Sequence, residues 1–184
     1  MATVYIAPSP TGDDSRSYAQ AQVISTPWAT PEKTIASAVA GDAVVAASGS
    51  YVSATHPSYT KPLLTSASTA LGAIFEAASG QGYVARISGS APAGDWLYDG
   101  IVFEANNNVN RCFAFGNSAS NDYNLTISNS VLRNATDNML TIDGGRGSVV
   151  STNNTYSGTP TTGATGNAAT LGSTGNFSFN STND

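Results

Sequence analysis

Short apolar runs punctuated by Gly, Asn, Asp and Ser fill the chain from residue 42 onward. Ala43-Val44-Val45-Ala46, Ala73-Ile74-Phe75, Ile101-Val102-Phe103, Leu125-Thr126-Ile127 and Met139-Leu140-Thr141-Ile142 have strand length and are each bounded by turn formers. Ahead of them a single segment carries helical spacing. Thr30 can cap it, Pro31 suits its first position, and Glu32 favours the positive end of the dipole. Ile35, Ala38 and Val39 then form an apolar stripe, and Gly41 ends the element. The pattern predicts an all-β domain with one helix, over about residues 31–40, acting as a lid.

The strands repeat. Ala73 to Ser90 set against Ile101 to Ser118 aligns at an offset of 28, with Phe-Glu-Ala recurring and Val84 and Ile87 falling on Cys112 and Phe115. A further shift of 24 brings Ile101-Val102-Phe103 onto Leu125-Thr126-Ile127, and another 24 brings Leu125 onto Val149 and Asn129 onto Asn153. Four columns follow: Ala73/Ile101/Leu125/Val149, Phe75/Phe103/Ile127/Ser151, Ala85/Phe113/Leu140 and Ile87/Phe115/Ile142. A period in the mid-twenties built from two or three short strands is what a parallel β-coil requires, because each turn stacks on the one below at about 4.8 Å. Residues two apart point inward and form columns of like side chains. The corners need residues that tolerate left-handed backbone, and the clusters Asn106-Asn107-Asn108, Asn117-Ser118, Asn129-Ser130 and Asn153-Asn154 fit. An antiparallel sandwich shows turn signals as often, but has no reason to preserve an offset through successive units.

Several phrases match a known pattern. Tyr5-Ile6-Ala7-Pro8, Gly12-Asp13-Asp14, Pro27-Trp28-Ala29-Thr30, Gly41-Asp42-Ala43-Val44-Val45 and Ser48-Gly49-Ser50-Tyr51 resemble the N-terminal opening of right-handed parallel β-helix proteins of the pectate-lyase-like superfamily. Tyr98-Asp99-Gly100-Ile101-Val102-Phe103 and Ile127-Ser128-Asn129-Ser130 resemble its rung phrases. The likeness covers about residues 4–157. It implies a short right-handed parallel β-helix of about four to five rungs with an N-terminal capping helix. Residues 1–157 would form that domain and residues 158–184 a Gly/Thr-rich C-terminal arm, folded over the last rung or paired with a neighbouring subunit. On function the likeness is nearly silent, since this fold carries lyases, hydrolases, phage tailspikes and inert coils.

Composition narrows the classes. Of 184 residues 40% are apolar and only 10% charged, so the surface must be covered by hydroxyls and amides. Seven Lys and Arg against twelve Asp and Glu give a net charge of -5, which leaves no basic stripe for nucleic acid. Cys112 is the single cysteine and His56 the single histidine, so neither a disulfide nor a Cys/His zinc site is expected, and no cofactor is. The N-terminus lacks a basic n-region and an apolar run of signal length, so neither signal-peptide export nor a membrane span is expected.

Candidate chemistry is sparse. Lyases on the related fold need a base and clustered acids for calcium, whereas Arg86, Arg111 and Arg133 are scattered and Lys33 and Lys61 are the only lysines. A hydrolase would draw on Asp95, Asp99, Glu104, Asp122, Asp137 and Asp143. Asp beside Gly or Asn is more simply a turn former. Cys112 sits where Val84 does in the repeat and reads as a small buried hydrophobe. The remaining site is a glycan or partner contact made by Asp95, Trp96, Tyr98 and Asp99, weighed against the simpler reading that Trp96 and Tyr98 pack in the core, with Leu171, Phe177 and Phe179 of the arm available for assembly. Hydroxyl-rich cover without an export signal suits a particle released by lysis. The expectation is therefore a non-enzymatic bacteriophage virion surface protein, decorating a capsid or forming part of a fibre or spike. It would bind other virion proteins as a homotrimer, with a host-surface glycan as a further partner. The alternative is a small polysaccharide-binding or polysaccharide-degrading coil.

Overall fold

The computed structural model describes residues 1–53, 58–87, 93–115, 122–142, 146–158, 169–171 and 177–182. Within them the chain is a parallel β-solenoid. One sheet contains seven strands in the order β1 (Thr3–Ile6), β2 (Ala43–Ala46), β5 (Leu64–Ala67), β8 (Gly94–Asp99), β11 (Asp122–Ser128), β14 (Arg146–Thr152) and β17 (Phe177–Thr182). A second holds β4 (Ser58–Tyr59), β7 (Tyr83–Ile87), β10 (Arg111–Phe115), β13 (Asn138–Ile142) and β16 (Ala169–Leu171). The third holds β3 (Gly49–Ser53), β6 (Ala73–Ala77), β9 (Ile101–Glu104), β12 (Val131–Arg133) and β15 (Thr155–Ser157). The chain visits the three sheets in rotation, and every pairing between these strands is parallel.

The expected strands are present, and two of the four expected columns hold along their length. Phe113 pairs with Ala85 below and Leu140 above, and Phe115 with Ile87 and Ile142. The other two columns are spliced from different sheets. Ala73 meets Ile101 and Phe75 meets Phe103 in the third sheet, while Leu125 meets Val149 and Ile127 meets Ser151 in the seven-stranded one. The true partner above Phe103 is Leu132, and below Leu125 it is Trp96. Gly100 alone separates β8 from β9, so the chain passes at once from the seven-stranded sheet to the third, and a shift of 24 from Ile101 lands on β11, which stacks on β8 rather than on β9.

Aromatic side chains fill the interior. Tyr51, Phe75 and Phe103 stack along one column, with ring centroids 5.4 Å and then 6.0 Å apart, both edge-on. Phe103 also meets Tyr98 at 5.7 Å and Phe113 at 5.5 Å, so rings from all three sheets touch at one level. Burying a ring of this size contributes about 1.5–3 kcal/mol by transfer from water, and each edge-on contact adds to that. Corners are turned by Asn106, Asn107, Asn129, Asn134 and Asn153, all with φ between 50° and 61°. Asn tolerates this region because its short amide can bond locally. Asn117-Ser118, expected at another corner, lies outside the described residues.

Helix is confined, among the described residues, to α1 (Tyr18–Ala21) and α2 (Pro31–Ser37). The expected helix is shorter than 31–40. Thr30 caps it by accepting from the Lys33 amide, but Ala38 is already extended, and Val39 is 56% exposed rather than part of a buried stripe. The Asp42 carboxylate accepts the Val39 N–H, which fixes this exit. The second helix, α1, went unexpected. Its signal was Ser17-x-x-Gln20, which forms a reciprocal capping box.

Residues 169–171 and 177–182, within the segment expected to be an arm, pair in parallel with β13 and β14. No helix among the described residues is long and apolar enough to cross a membrane.

Candidate functional site

Strand geometry decides the fate of the residues singled out on β8. Successive side chains point to opposite faces of a sheet. Trp96 and Tyr98 therefore point into the coil, 1% and 0% exposed, while Asp95 and Asp99 point outward. Of the two readings of these aromatics, exposed contact or core packing, the structure shows core packing. Tyr98 packs edge-on against Tyr59 at 5.6 Å and Phe113 at 5.0 Å. Burial raises the pKa of its phenol, with the neighbouring Tyr59 adding to the shift. Asp95, Trp96, Tyr98 and Asp99 thus do not share a face, and no sugar can stack on those two rings.

The two acids belong instead to polar ladders that run across the turns on the outside of the seven-stranded sheet. The Asn124 amide donates to Asp95 at 2.9 Å, and the Ser148 hydroxyl donates to Asn124 at 3.0 Å. Asp99 accepts from the Ser128 hydroxyl and the Asn129 amide, each at 2.7 Å, and Asn153 donates to Asn129 at 3.3 Å. Stacked rungs bring like positions together, so an acid can be solvated by an amide one turn above. A parallel ladder appears on the third sheet. Asn106 donates to Glu76 at 2.8 Å, and Asn134 donates to Glu104 at 2.8 Å.

Within these ladders Glu104 is tightly held. It is 6% exposed and bonded by Arg133, Asn134 and the Asn106 amide. Desolvation pushes its pKa up, but these hydrogen bonds and the Arg133 charge outweigh it, and the net shift is downward. Burial likewise raises the Cys112 thiol, which sits opposite Val84 in the stack, so it is a packed hydrophobe rather than a nucleophile. Among the described residues no group of three or more His, Cys, Asp or Glu could hold a metal. His56 and Asp143 lie outside the described residues. The backbones of Asp122, Leu171, Phe177 and Phe179 lie in β11, β16 and β17, where they extend the sheets.

Two clusters escaped the sequence reading. At the N-terminus, Asp42 accepts from the Ala2 amide at 2.7 Å, the Tyr18 hydroxyl at 2.6 Å and the Val39 amide at 2.9 Å. Desolvation raises the Asp42 pKa and these donors lower it further than that, aided by the terminal ammonium. Asp14 accepts from the Ala29 amide at 2.8 Å and the Thr30 hydroxyl at 2.6 Å. On the second sheet, the Tyr83 ring lies beside the guanidiniums of both Arg86 and Arg111. The available signal was the single offset of 28 that places Arg111 on Tyr83, with Arg86 close by in sequence.

Compared with known proteins, the chain matches no family model, no curated protein and no solved structure. The likeness to β-helix proteins therefore stands on the parallel coil alone.

Proposed function

We propose that this chain is a non-enzymatic structural protein of a bacteriophage virion surface, a capsid decoration or a component of a fibre or spike. It is a right-handed β-helix of four to five rungs, of the pectate-lyase-like kind, with the N-terminal segment as its lid. It assembles as a homotrimer with other virion proteins and reaches the extracellular space by host lysis. The observation that carries this reading is the state of the outward acids. Asp95 and Asp99 stand four residues apart on one strand, about 13 Å, beyond the roughly 5–9.5 Å that paired carboxylates of a glycosidase need. Each is consumed by amide or hydroxyl donors of the next turn. A coil whose polar surface solvates itself is a rigid, protease-resistant spacer.

The test is mass and assembly. Size-exclusion chromatography with light scattering should give a trimer for the full chain and a smaller species after removal of residues 158–184. A monomer indifferent to that deletion counts against assembly. Turnover of an acidic polysaccharide that disappears in Asp95→Ala or Asp99→Ala would replace this reading with a polysaccharide-degrading one.

A further inference from the structure

A chain that assembles needs a contact surface, and the outer faces of the coil differ in what they offer one. On the seven-stranded sheet the middle outward column runs through Ala43, Leu64, Leu97, Thr126 and Val150, which follow one another in register. Each is half-buried, and its neighbours along the strand point inward. None of the five is charged. Asp95 and Asp99 flank Leu97 on its strand, and each is already hydrogen-bonded within its own ladder. On the third sheet, by contrast, Glu76, Glu104 and Arg133 share one outward column.

At the N-terminal end of the same face the surface is indented. Tyr5 on β1 and Val45 on β2 are outward register partners. With Ala7, Ile24, Pro27 and Ala47 they line a groove of about 130 Å³ whose walls carry no charged side chain. Roughly that volume accommodates one branched aliphatic or aromatic side chain. Ile24 forms part of the wall and is nevertheless 72% exposed, and Val23 before it is 52% exposed. An aliphatic projection and an apolar groove thus lie side by side on one chain.

We infer, building on the assembly reading above, that the outer face of the seven-stranded sheet, from this groove along the Leu64, Leu97 and Val150 column, is the surface on which a second copy of the chain docks. A copy brings what the groove lacks, an exposed aliphatic pair. Charge argues for the same face. Chains of net charge -5 repel one another at long range, so copies meet at least cost where neither presents a charge, and interface centres are depleted of charged residues. Asp95 and Asp99 then belong to a polar rim. Area agrees as well: seven strands about 4.8 Å apart and about six residues long make a face of roughly 29 Å by 20 Å, about 600 Å². The projection at Val23 and Ile24 adds to this, toward the roughly 800 Å² per partner of a standard interface. The seventh strand of the face is β17, which lies in the segment whose removal tests assembly.

The experiment is sedimentation equilibrium of the full chain over about 1–200 µM, which should show self-association with a dissociation constant of about 10 µM or tighter. Leu97→Glu sets a carboxylate in the middle of the column, and Ile24→Ser removes the projection; each should weaken association by about tenfold or more. Val52→Ser, which removes an aliphatic side chain 63% exposed on the third sheet, should change nothing. Circular dichroism and thermal midpoint establish folding, and Ile24→Ser, at so exposed a position, decides the matter should Leu97→Glu fail to fold. An oligomer indifferent to Ile24→Ser and to folded Leu97→Glu overturns the inference and leaves the assembly reading standing, as does one weakened equally by Val52→Ser. A monomer throughout the range overturns both. A dimer sensitive to the two variants sustains this face and revises the trimer. A monomer that binds phosphatidylcholine vesicles, and loses them with Ile24→Ser, overturns it in favour of a lipid surface.

Discussion

The N-terminal end and the middle of the coil are held by different forces. Residues 1–42 form one short strand and two short helices joined by irregular chain, so most of their backbone has no ladder to join. Two carboxylates, the buried Asp42 and the half-buried Asp14, take the ladder's place. Asp14 binds the segment at Ala29 and Thr30, Asp42 binds Ala2, Tyr18 and Val39, and the Trp28 indole donates to the Arg16 carbonyl at 2.8 Å. Close packing is part of this region, since a Cβ on Gly12 would overlap the Ala7 carbonyl oxygen. From β6 to β13 the backbone pairs with itself turn after turn, and stacked rings supply the cohesion. Where the chain repeats, register satisfies the polar backbone and leaves side chains free to pack. Where it does not repeat, polar side chains must do the satisfying. The two regions should therefore fail in different ways, one through cavities and the other through acid or loss of an acceptor.

The largest effect should come from Phe103→Ala, which empties the point where rings of all three sheets meet. It should cost about 3–5 kcal/mol by urea unfolding. A loss below about 1 kcal/mol would show that the column is not closely packed. Next comes Asp42→Ala, which strands three donors and should cost about 2–4 kcal/mol. Its signature is local. Amide exchange should quicken across β1 and α1 before it does in β9, and simultaneous exchange of all three would make the two regions one cooperative unit. Acid should then separate them on a smaller scale. Asp42 and Glu104 both have lowered pKa values in the fold, so the unfolded chain binds more protons as the pH falls. Their stabilisation is complete above the ordinary carboxylate range, about 4, and is lost as the pH drops through their lowered folded values. Thermal melts from pH 7 to 3 should show that loss, and Asp42→Asn should remove the part due to the N-terminal end. The smallest effect belongs to the corners. Asn129→Ala, at φ 50°, should cost about 1 kcal/mol and Asn129→Gly much less, read from urea midpoints.

Much of the middle was legible because a coil writes its register into the chain. Phe113 and Leu140 could be placed in one column, and Asn129 and Asn153 at one kind of corner, by spacing alone. The acids were not. Asp95, Trp96, Tyr98 and Asp99 look like one constellation in a line of text, yet a strand divides them between solvent and core. Asp42 reads as the start of a strand and is instead the acceptor on which three separate segments converge. Arg86 and Arg111 are distant in sequence and become neighbours of one ring only through the stacking of β7 and β10.

The amino-acid order by itself determined that short apolar stretches alternate inward and outward and turn at Asn and Gly, since those preferences are local to a few residues. Which sheet each stretch enters, and which donor each carboxylate meets, was decided only when the coil closed. Those choices depend on the lengths of the corners and on packing between turns some 24 to 29 residues apart, and no single stretch of chain carries them.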